Sequence, residues 1–142
     1  MANYFDLFDV SASGMRLERV RLETATLNIA NAHTSRTADG GAYRPLRVVA
    51  APSRAGFEQA WAAGRLQGVG MPQIVAAPVQ PRMVYDPGHP HADARGYVTL
   101  PGIDPLLEMT TLMNAMRAYE ANIKAIEAAR TMALRALEIG SR

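Results

Sequence analysis

The stretch that decides the fold is PLLEMTTLMNAMRAYEANIKAIEAARTMALRALEIG, residues 105–140. Large apolar side chains recur in it every three or four residues, at Met109, Leu112, Met116, Tyr119, Ile123 and Ile126. This spacing places them on one face of an α-helix. Asp104 and Pro105 suit the helix start as cap and first-turn proline, and Gly140 suits the stop. About 35 residues of helix extend about 53 Å, a length typical of coiled-coil packing or assembly.

A second long helix, of roughly 25 residues or about 38 Å, is predicted near the N-terminus within about residues 3–32, where the sequence contains one glycine, Gly14, and no proline. Asp9, Ser11 and Ser13 are candidate N-caps, and Gly14 leaves the start of the helix open. The apolar residues form two neighbouring stripes, which implies contacts on more than one side of the helix. The first stripe is Val10, Leu17, Val20, Thr24 and Leu27, and the second is Met15, Leu22 and Ile29.

The middle of the chain has a different composition. Eight of the nine prolines and nine of the eleven glycines lie within residues 34–104. Short runs rich in β-branched residues between them predict strands joined by turns: residues 47–50, 73–76, 83–85 and 97–100. Residues 57–63, FEQAWAA, are interpreted either as a short helical turn or as a mobile loop.

We therefore expect a mainly α fold with a small β region. Residues 1–33 and 104–142 form the terminal helices, a coiled-coil-like pair that makes up an inner helical assembly domain. Residues 34–103 form the strand- and turn-rich middle, with a variable loop near residues 53–72.

Composition excludes several classes of function. Fifteen basic residues, fourteen of them arginine, are spread along the chain against thirteen acidic ones, so no basic patch indicates nucleic-acid binding. There is no cysteine, which rules out disulfides and thiol catalysis. No apolar run reaches the ~18 residues of a membrane span, and the N-terminal residues do not resemble a cleavable secretory signal. We expect a soluble, non-catalytic chain.

Apolar surface on the two helices indicates assembly with other subunits. If the helices pair through one stripe each, Leu106, Met113 and Met132 and a second N-terminal stripe remain uncovered. Each large apolar side chain left in water forgoes roughly 1.5–3 kcal/mol, against a whole-domain stability of ~5–15 kcal/mol. The proline-rich middle is too small to cover about 50 Å of helix. Head-to-tail packing of such helices gives rings or open filaments.

One alternative places chemistry in the middle region. His89, His91 and Asp93 form an H-x-H-x-D pattern, which begins a metal site in some hydrolases. The alternative function is therefore a small metal-binding hydrolase or binding module. Against it, His33 is the only other histidine, and the flanking Asp-Pro-Gly and His-Pro steps indicate a rigid turn.

Two segments carry a resemblance to a known family. TLNIANAHT, residues 26–34, resembles the end of the first helix in bacterial flagellar rod, hook and hook-associated proteins. VYDPGHPHADARGYVTLPGID, residues 84–104, closely resembles the signature of the proximal-rod members of this flagellar axial family. Residues 109–132 are similar to the family as well. Leu27 stands where the family usually has serine, and Gly102-Ile103 replaces the common Asn-Val.

The resemblance implies a structural subunit of the proximal rod, not an enzyme. Such subunits form a hollow drive shaft that transmits torque and lines the export channel. It implies passage through the flagellar type III export apparatus without a cleaved signal, assembly in the periplasm, and contact with other rod proteins and the rod-to-membrane-ring adaptor. It implies no cofactor, no nucleic acid and no small-molecule substrate.

The predicted subunit-interface residues lie on the stripes and at the end of the first helix: Leu17, Val20, Leu27, Asn28, Asn31, Met109, Leu112, Met116, Tyr119, Ile123 and Ile126. For Asn28 and Asn31 two interpretations stay open. Their side chains either make polar contacts at the helix end, with a terminal carbonyl or a partner backbone, or simply face water.

Overall fold

The computed structural model describes residues 4–38, 40–51 and 68–140. Two long helices flank four short strands, so the predicted mainly α fold with a small β region is confirmed. Helix α1 spans Tyr4–Ala30 and helix α2 spans Pro105–Gly140. The strands are β1 (Leu46–Val49), β2 (Gln73–Ala76), β3 (Arg82–Tyr85) and β4 (Tyr97–Leu100). The segments predicted at residues 53–72 and 57–63 lie mostly or wholly outside the described residues.

Helix α1 begins earlier than its candidate caps suggested. Asp9, Ser11 and Ser13 all lie inside the helix, so the prediction that one of them is the N-cap is wrong. The Ser13 hydroxyl instead donates a hydrogen bond to the Val10 carbonyl at 2.7 Å and accepts one from the Val69 amide at 2.9 Å. A serine inside a helix is tolerated here because its hydroxyl satisfies a backbone amide from another segment.

Helix α2 starts as the sequence predicted. The Asp104 carboxylate accepts hydrogen bonds from the Leu106 amide at 2.9 Å and, more weakly, from the Leu107 amide at 3.5 Å. These are amides that have no partner within the helix, and Pro105 occupies the position where a missing N–H costs nothing. The cap and the proline therefore fix where the 36-residue helix begins.

The strands form two separate two-stranded sheets, β1 with β2 and β3 with β4. The second pair is antiparallel, with Met83 opposite Thr99 and Tyr85 opposite Tyr97. Because successive side chains alternate between the faces of a strand, Val98 is directed to the opposite face of β4, where it is buried.

Gly102 follows β4 at a point of close approach. A Cβ built at Gly102 would collide with the Gln80 carbonyl oxygen and lie 2.7 Å from Cγ1 of Val79. No side chain fits there unless the backbone shifts, so the connection between β4 and α2 requires a glycine.

The chain divides into two compact units. The first unit comprises Met1–Val20, Val49–Gln73 and Asn114–Arg142, and the second comprises Arg21–Val48 and Ile74–Met113. In the first, Leu17, Ala115 and Ala129 are buried; in the second, Ala25, Ala32, Val98 and Ile103 are buried. Within the described ranges, neither helix combines the length and apolarity that a membrane span requires.

Candidate assembly surface

Residues 114–140 of α2 belong to the first unit, and the face that they pack against the rest of that unit carries small and polar side chains. Ala115 and Ala129 are almost completely buried, and Asn122 lies midway between them at the same seven-residue spacing. A Cβ built on Gly14 of α1 would lie 3.0–3.2 Å from the Asn122 side chain, so the two helices approach closely at this point. Small residues at such a contact allow the helix backbones to come near each other.

The large apolar side chains of α2 lie on a neighbouring line. Met109, Met116 and Ile123 also recur every seven residues. Met116 directly follows Ala115 and Ile123 directly follows Asn122, two members of the packed line of Ala115, Asn122 and Ala129. One residue corresponds to about 100° of rotation around an α-helix. The line therefore points away from the packed face, and its side chains are 50%, 47% and 38% exposed. Met113, next to this line, is 49% exposed.

A third line lies between these two. Leu112, Tyr119 and Ile126 recur at seven-residue spacing, about 40° from the exposed line and about 60° from the packed one. All three side chains are half-buried. Exposure therefore increases around α2, from the packed line with its buried alanines, through the half-buried line, to the exposed line of methionine and isoleucine. We define the exposed and half-buried lines, together with the adjacent Met113, as the α2 stripe, which contains all six interface residues predicted on this helix.

The interface residues predicted on α1 have different environments. Leu17 and Asn28 are buried within their own units, whereas Val20 and Asn31 are half-buried. Leu27 is 50% exposed and is the predicted α1 residue with the most accessible surface. The assignment of these residues to a subunit interface stays a prediction.

Asn28 is the most buried polar side chain of the second unit, with 1% of its surface exposed. Its Nδ2 donates to the Leu46 carbonyl at 2.9 Å, and its Oδ1 accepts from the Leu46 amide at 2.9 Å. The Tyr43 hydroxyl also donates to Oδ1, at 3.2 Å. Asn28 therefore pairs with both backbone groups of Leu46 and joins α1 to the first residue of β1.

The environment of Tyr43, the partner of Asn28, shifts the pKa of its hydroxyl. Burial raises the pKa of the Tyr43 hydroxyl above 10.0, and the negative charge of Glu108 raises it further. Both effects disfavour the phenolate. The hydroxyl therefore stays protonated and remains a donor to Asn28 over a wider range of pH than a free tyrosine would.

Asn31 acts at the helix end. Its Nδ2 donates to the Leu27 carbonyl at 2.9 Å, and its Oδ1 accepts from the Thr34 hydroxyl at 3.1 Å. Leu27 also accepts the backbone amide of Asn31, at 3.1 Å. Of the two interpretations of Asn28 and Asn31, polar contact near the helix end is the one observed, with groups of their own chain.

The histidine turn is held together by its own hydrogen bonds. Nδ1 of His89 accepts the His91 amide at 3.1 Å, and Nδ1 of His91 is 2.9 Å from the Ser35 hydroxyl. Oδ1 of Asp93 accepts the amides of Arg95 and Tyr97 at 2.8 and 2.9 Å. Among the described residues there is no group of three or more side chains arranged to hold a metal ion. The contacts are those of a turn, and the metal-binding alternative gains no support.

Sequence reasoning missed two groups of exposed apolar side chains. Met71, Ile74, Met83 and Tyr85 in the β region are each more than half exposed, and so are Leu134 and Ile139 at the end of α2. The exposure of the first group could have been expected from the short predicted strands, because a small sheet of two strands cannot have both of its faces covered. The strand runs alone did not indicate which face would be left open.

A long helix that packs its alanines inward and exposes its methionines is typical of a subunit that assembles with other chains through the exposed face. The comparisons with known proteins agree with this class. Residues 94–139 match the family model described as "Flagellar basal body rod FlgEFG protein C-terminal".

Curated relatives match nearly the whole chain. The flagellar basal-body rod protein FlgC of Salmonella typhimurium is 34% identical over 139 residues, which cover 95% of this chain and 96% of the relative. FlgC of Bacillus subtilis is 35% identical and covers 96% of this chain and 97% of the relative. FlgC of Aquifex aeolicus is 36% identical over 88% of each chain. The chain belongs to the family of the flagellar basal-body rod protein FlgC.

Proposed function

We propose that the chain is a structural subunit of the rod of the bacterial flagellar basal body, and not an enzyme. Family membership supports this role, since the relatives are named as basal-body rod proteins. The observation that carries it at the level of residues is the α2 stripe. Helix α2 leaves the methionines and isoleucine of the exposed line outward while it buries Ala115 and Ala129.

The energetic argument favours coverage of the stripe by neighbouring subunits. Met109, Met113, Met116 and Ile123 are already about half covered. Covering the remainder contributes about 1 kcal/mol for each side chain, or about 4 kcal/mol for the four. A contribution of this size is comparable to a large part of a domain's stability, so burial of the stripe is a substantial driving force for assembly.

The finer assignment is to the proximal rod in the periplasm. We infer that residues 1–33 and 104–142 form the helical part that packs in the hollow shaft, and that residues 34–103 form the outer part. The role is mechanical: the rod transmits torque and lines the export channel. The proposed partners are other rod proteins, the rod-to-membrane-ring adaptor and, during secretion without a cleaved signal, the type III export apparatus.

The interface we propose consists of the accessible members of the predicted set. Met109, Met116, Ile123 and Leu27 supply exposed surface. Leu112, Tyr119, Ile126, Val20 and Asn31 flank it with half-buried side chains. Leu17 and Asn28, which are buried, support this surface from within the chain.

The test is a charge on the stripe. In cells that lack the chromosomal copy, Ile123→Asp and Leu112→Asp should each abolish rod assembly, because a carboxylate cannot be buried without a partner. Ala128→Asp is the matched control: Ala128 is exposed on the same helix, well away from both the packed line and the stripe. Rods are counted in isolated basal bodies, and circular dichroism of the purified variants reports whether the helices are intact. If the stripe variants build working flagella, the interface argument is wrong.

A further inference from the structure

The α2 stripe contains three methionines close together. Met109, Met113 and Met116 follow at intervals of four and three residues, so their side chains lie on adjacent turns of one side of the helix. Each is about half exposed. The chain has no cysteine, so thioethers are its only sulfur atoms and the first groups that a peroxide would oxidise.

Oxidation would change the chemistry of this surface. A methionine thioether attacks hydrogen peroxide, the O–O bond breaks, one oxygen becomes the sulfoxide oxygen, and the other leaves as water. Sulfur loses two electrons and the peroxide gains them. The product is a polar sulfoxide on a side chain that was apolar and adaptable.

We propose that Met109, Met113 and Met116 form a peroxide-sensitive modification site that controls whether an unassembled subunit joins the rod. This proposal rests on the proposed function, because the sulfoxides act by making the α2 stripe unfit for burial. A sulfoxide oxygen buried against a neighbouring helix without a hydrogen-bond donor costs free energy that a buried thioether does not cost. Since the sulfoxide is reducible by methionine sulfoxide reductases, the modification is reversible.

The chain offers a matched set of control methionines. Met71, Met83 and Met132 are 77%, 62% and 52% exposed, at least as accessible as the three on the stripe, and they lie off it. Leucine has a similar volume to methionine and cannot be oxidised. The triple variant M109L/M113L/M116L therefore tests the site, and M71L/M83L/M132L controls for general oxidation of the chain.

In the experiment, a brief hydrogen peroxide pulse is given while new rods are being built, and completed rods are then counted by electron microscopy. Each strain is compared with its own untreated culture. We expect rod completion to fall about fivefold in the wild type and in the control variant, the factor that corresponds to losing the burial of one such side chain at about 1 kcal/mol. We expect little change in M109L/M113L/M116L. Equal sensitivity of all three strains would overturn the proposal.

A second measurement needs no variant. Peptide mass spectrometry of the unassembled wild-type chain, at the dose that stops rod completion, should show the gain of one oxygen at Met109, Met113 and Met116. If these residues stay unoxidised at that dose, the proposal fails. This result decides the question even if the leucine variants do not assemble. Failure of the proposed function is recognised separately, since untreated cells that lack the chain would then build normal rods.

Discussion

Replacing Asn28 with alanine tests the account of how α1 is joined to the β region. The substitution removes the partner of both backbone groups of Leu46, each now bonded at 2.9 Å, and one partner of the Tyr43 hydroxyl. Leaving a buried backbone donor or acceptor unpaired costs about 1–3 kcal/mol. Leu46 is half-buried, so the lower end of that range applies to each of its two groups. With the lost packing of the amide, we expect the free energy of unfolding to fall by about 3 kcal/mol.

Urea denaturation of the purified chain, followed by circular dichroism, measures this loss. With a slope of about 2 kcal/mol per molar urea, the midpoint should fall by about 1.5 M. Asn31→Ala is the matched control, because the hydrogen bonds of the Asn31 side chain are exposed or only partly buried. It should lower the free energy of unfolding by less than about 1 kcal/mol. If Asn28→Ala and Asn31→Ala unfold at the same urea concentration, the buried pairing of Asn28 with Leu46 does not stabilise the fold as described.

Three further changes have defined outcomes. Gly102→Ala should destabilise the chain by about 2 kcal/mol through overpacking, measured by urea denaturation, whereas Gly41→Ala should be nearly neutral, because no other group lies within 4 Å of its Cβ position. Asp104→Ala should lower stability by about 1 kcal/mol and shorten α2 at its start, seen as faster amide exchange of its first turn; unchanged exchange would contradict the capping role. The raised pKa of Tyr43 means that the folded state holds its proton more tightly than the unfolded chain, so stability falls as the pH rises above 10.0. Tyr43→Phe should make that fall shallower in denaturation measured on both sides of pH 10.0, and an unchanged slope would show that Tyr43 is not responsible.

The elements with local determinants could be predicted from the sequence. Asp104 and Pro105 specify the start of α2 through contacts within four residues, and the seven-residue spacing specifies the rest of the helix. The strands at residues 73–76 and 97–100 were predicted with the bounds that the structure gives them. In each case the information lies in neighbouring residues.

The choice between two faces of α2 could not be predicted in the same way. Hydrophobicity alone favours burial of the line of Met109, Met116 and Ile123, whereas the chain buries Ala115 and Ala129. A Cβ built on Gly14 of α1 would lie 3.0–3.2 Å from the Asn122 side chain, so the two helices approach closely on the face of α2 that also carries Ala115 and Ala129. A helix that packs against its own chain and also against neighbouring subunits has two apolar faces. Periodicity alone does not tell which of them is buried within the chain.

Local sequence patterns also could not predict the long-range polar contacts. Asn28 was singled out by its place near the end of a helix, but its partners lie 15 and 18 residues further along the chain. Ser13 was predicted as a cap and instead holds an amide 56 residues away. Both residues show tertiary contacts overriding a local preference of the side chain.

The most direct test of the central claim is electron cryotomography of flagellar bases in cells that carry a clean deletion of this chain. A structural subunit of the proximal rod predicts membrane rings without rod, hook or filament, restored by the intact gene and not by the Ile123→Asp variant. Normal flagella in the deletion strain would contradict the proposed role.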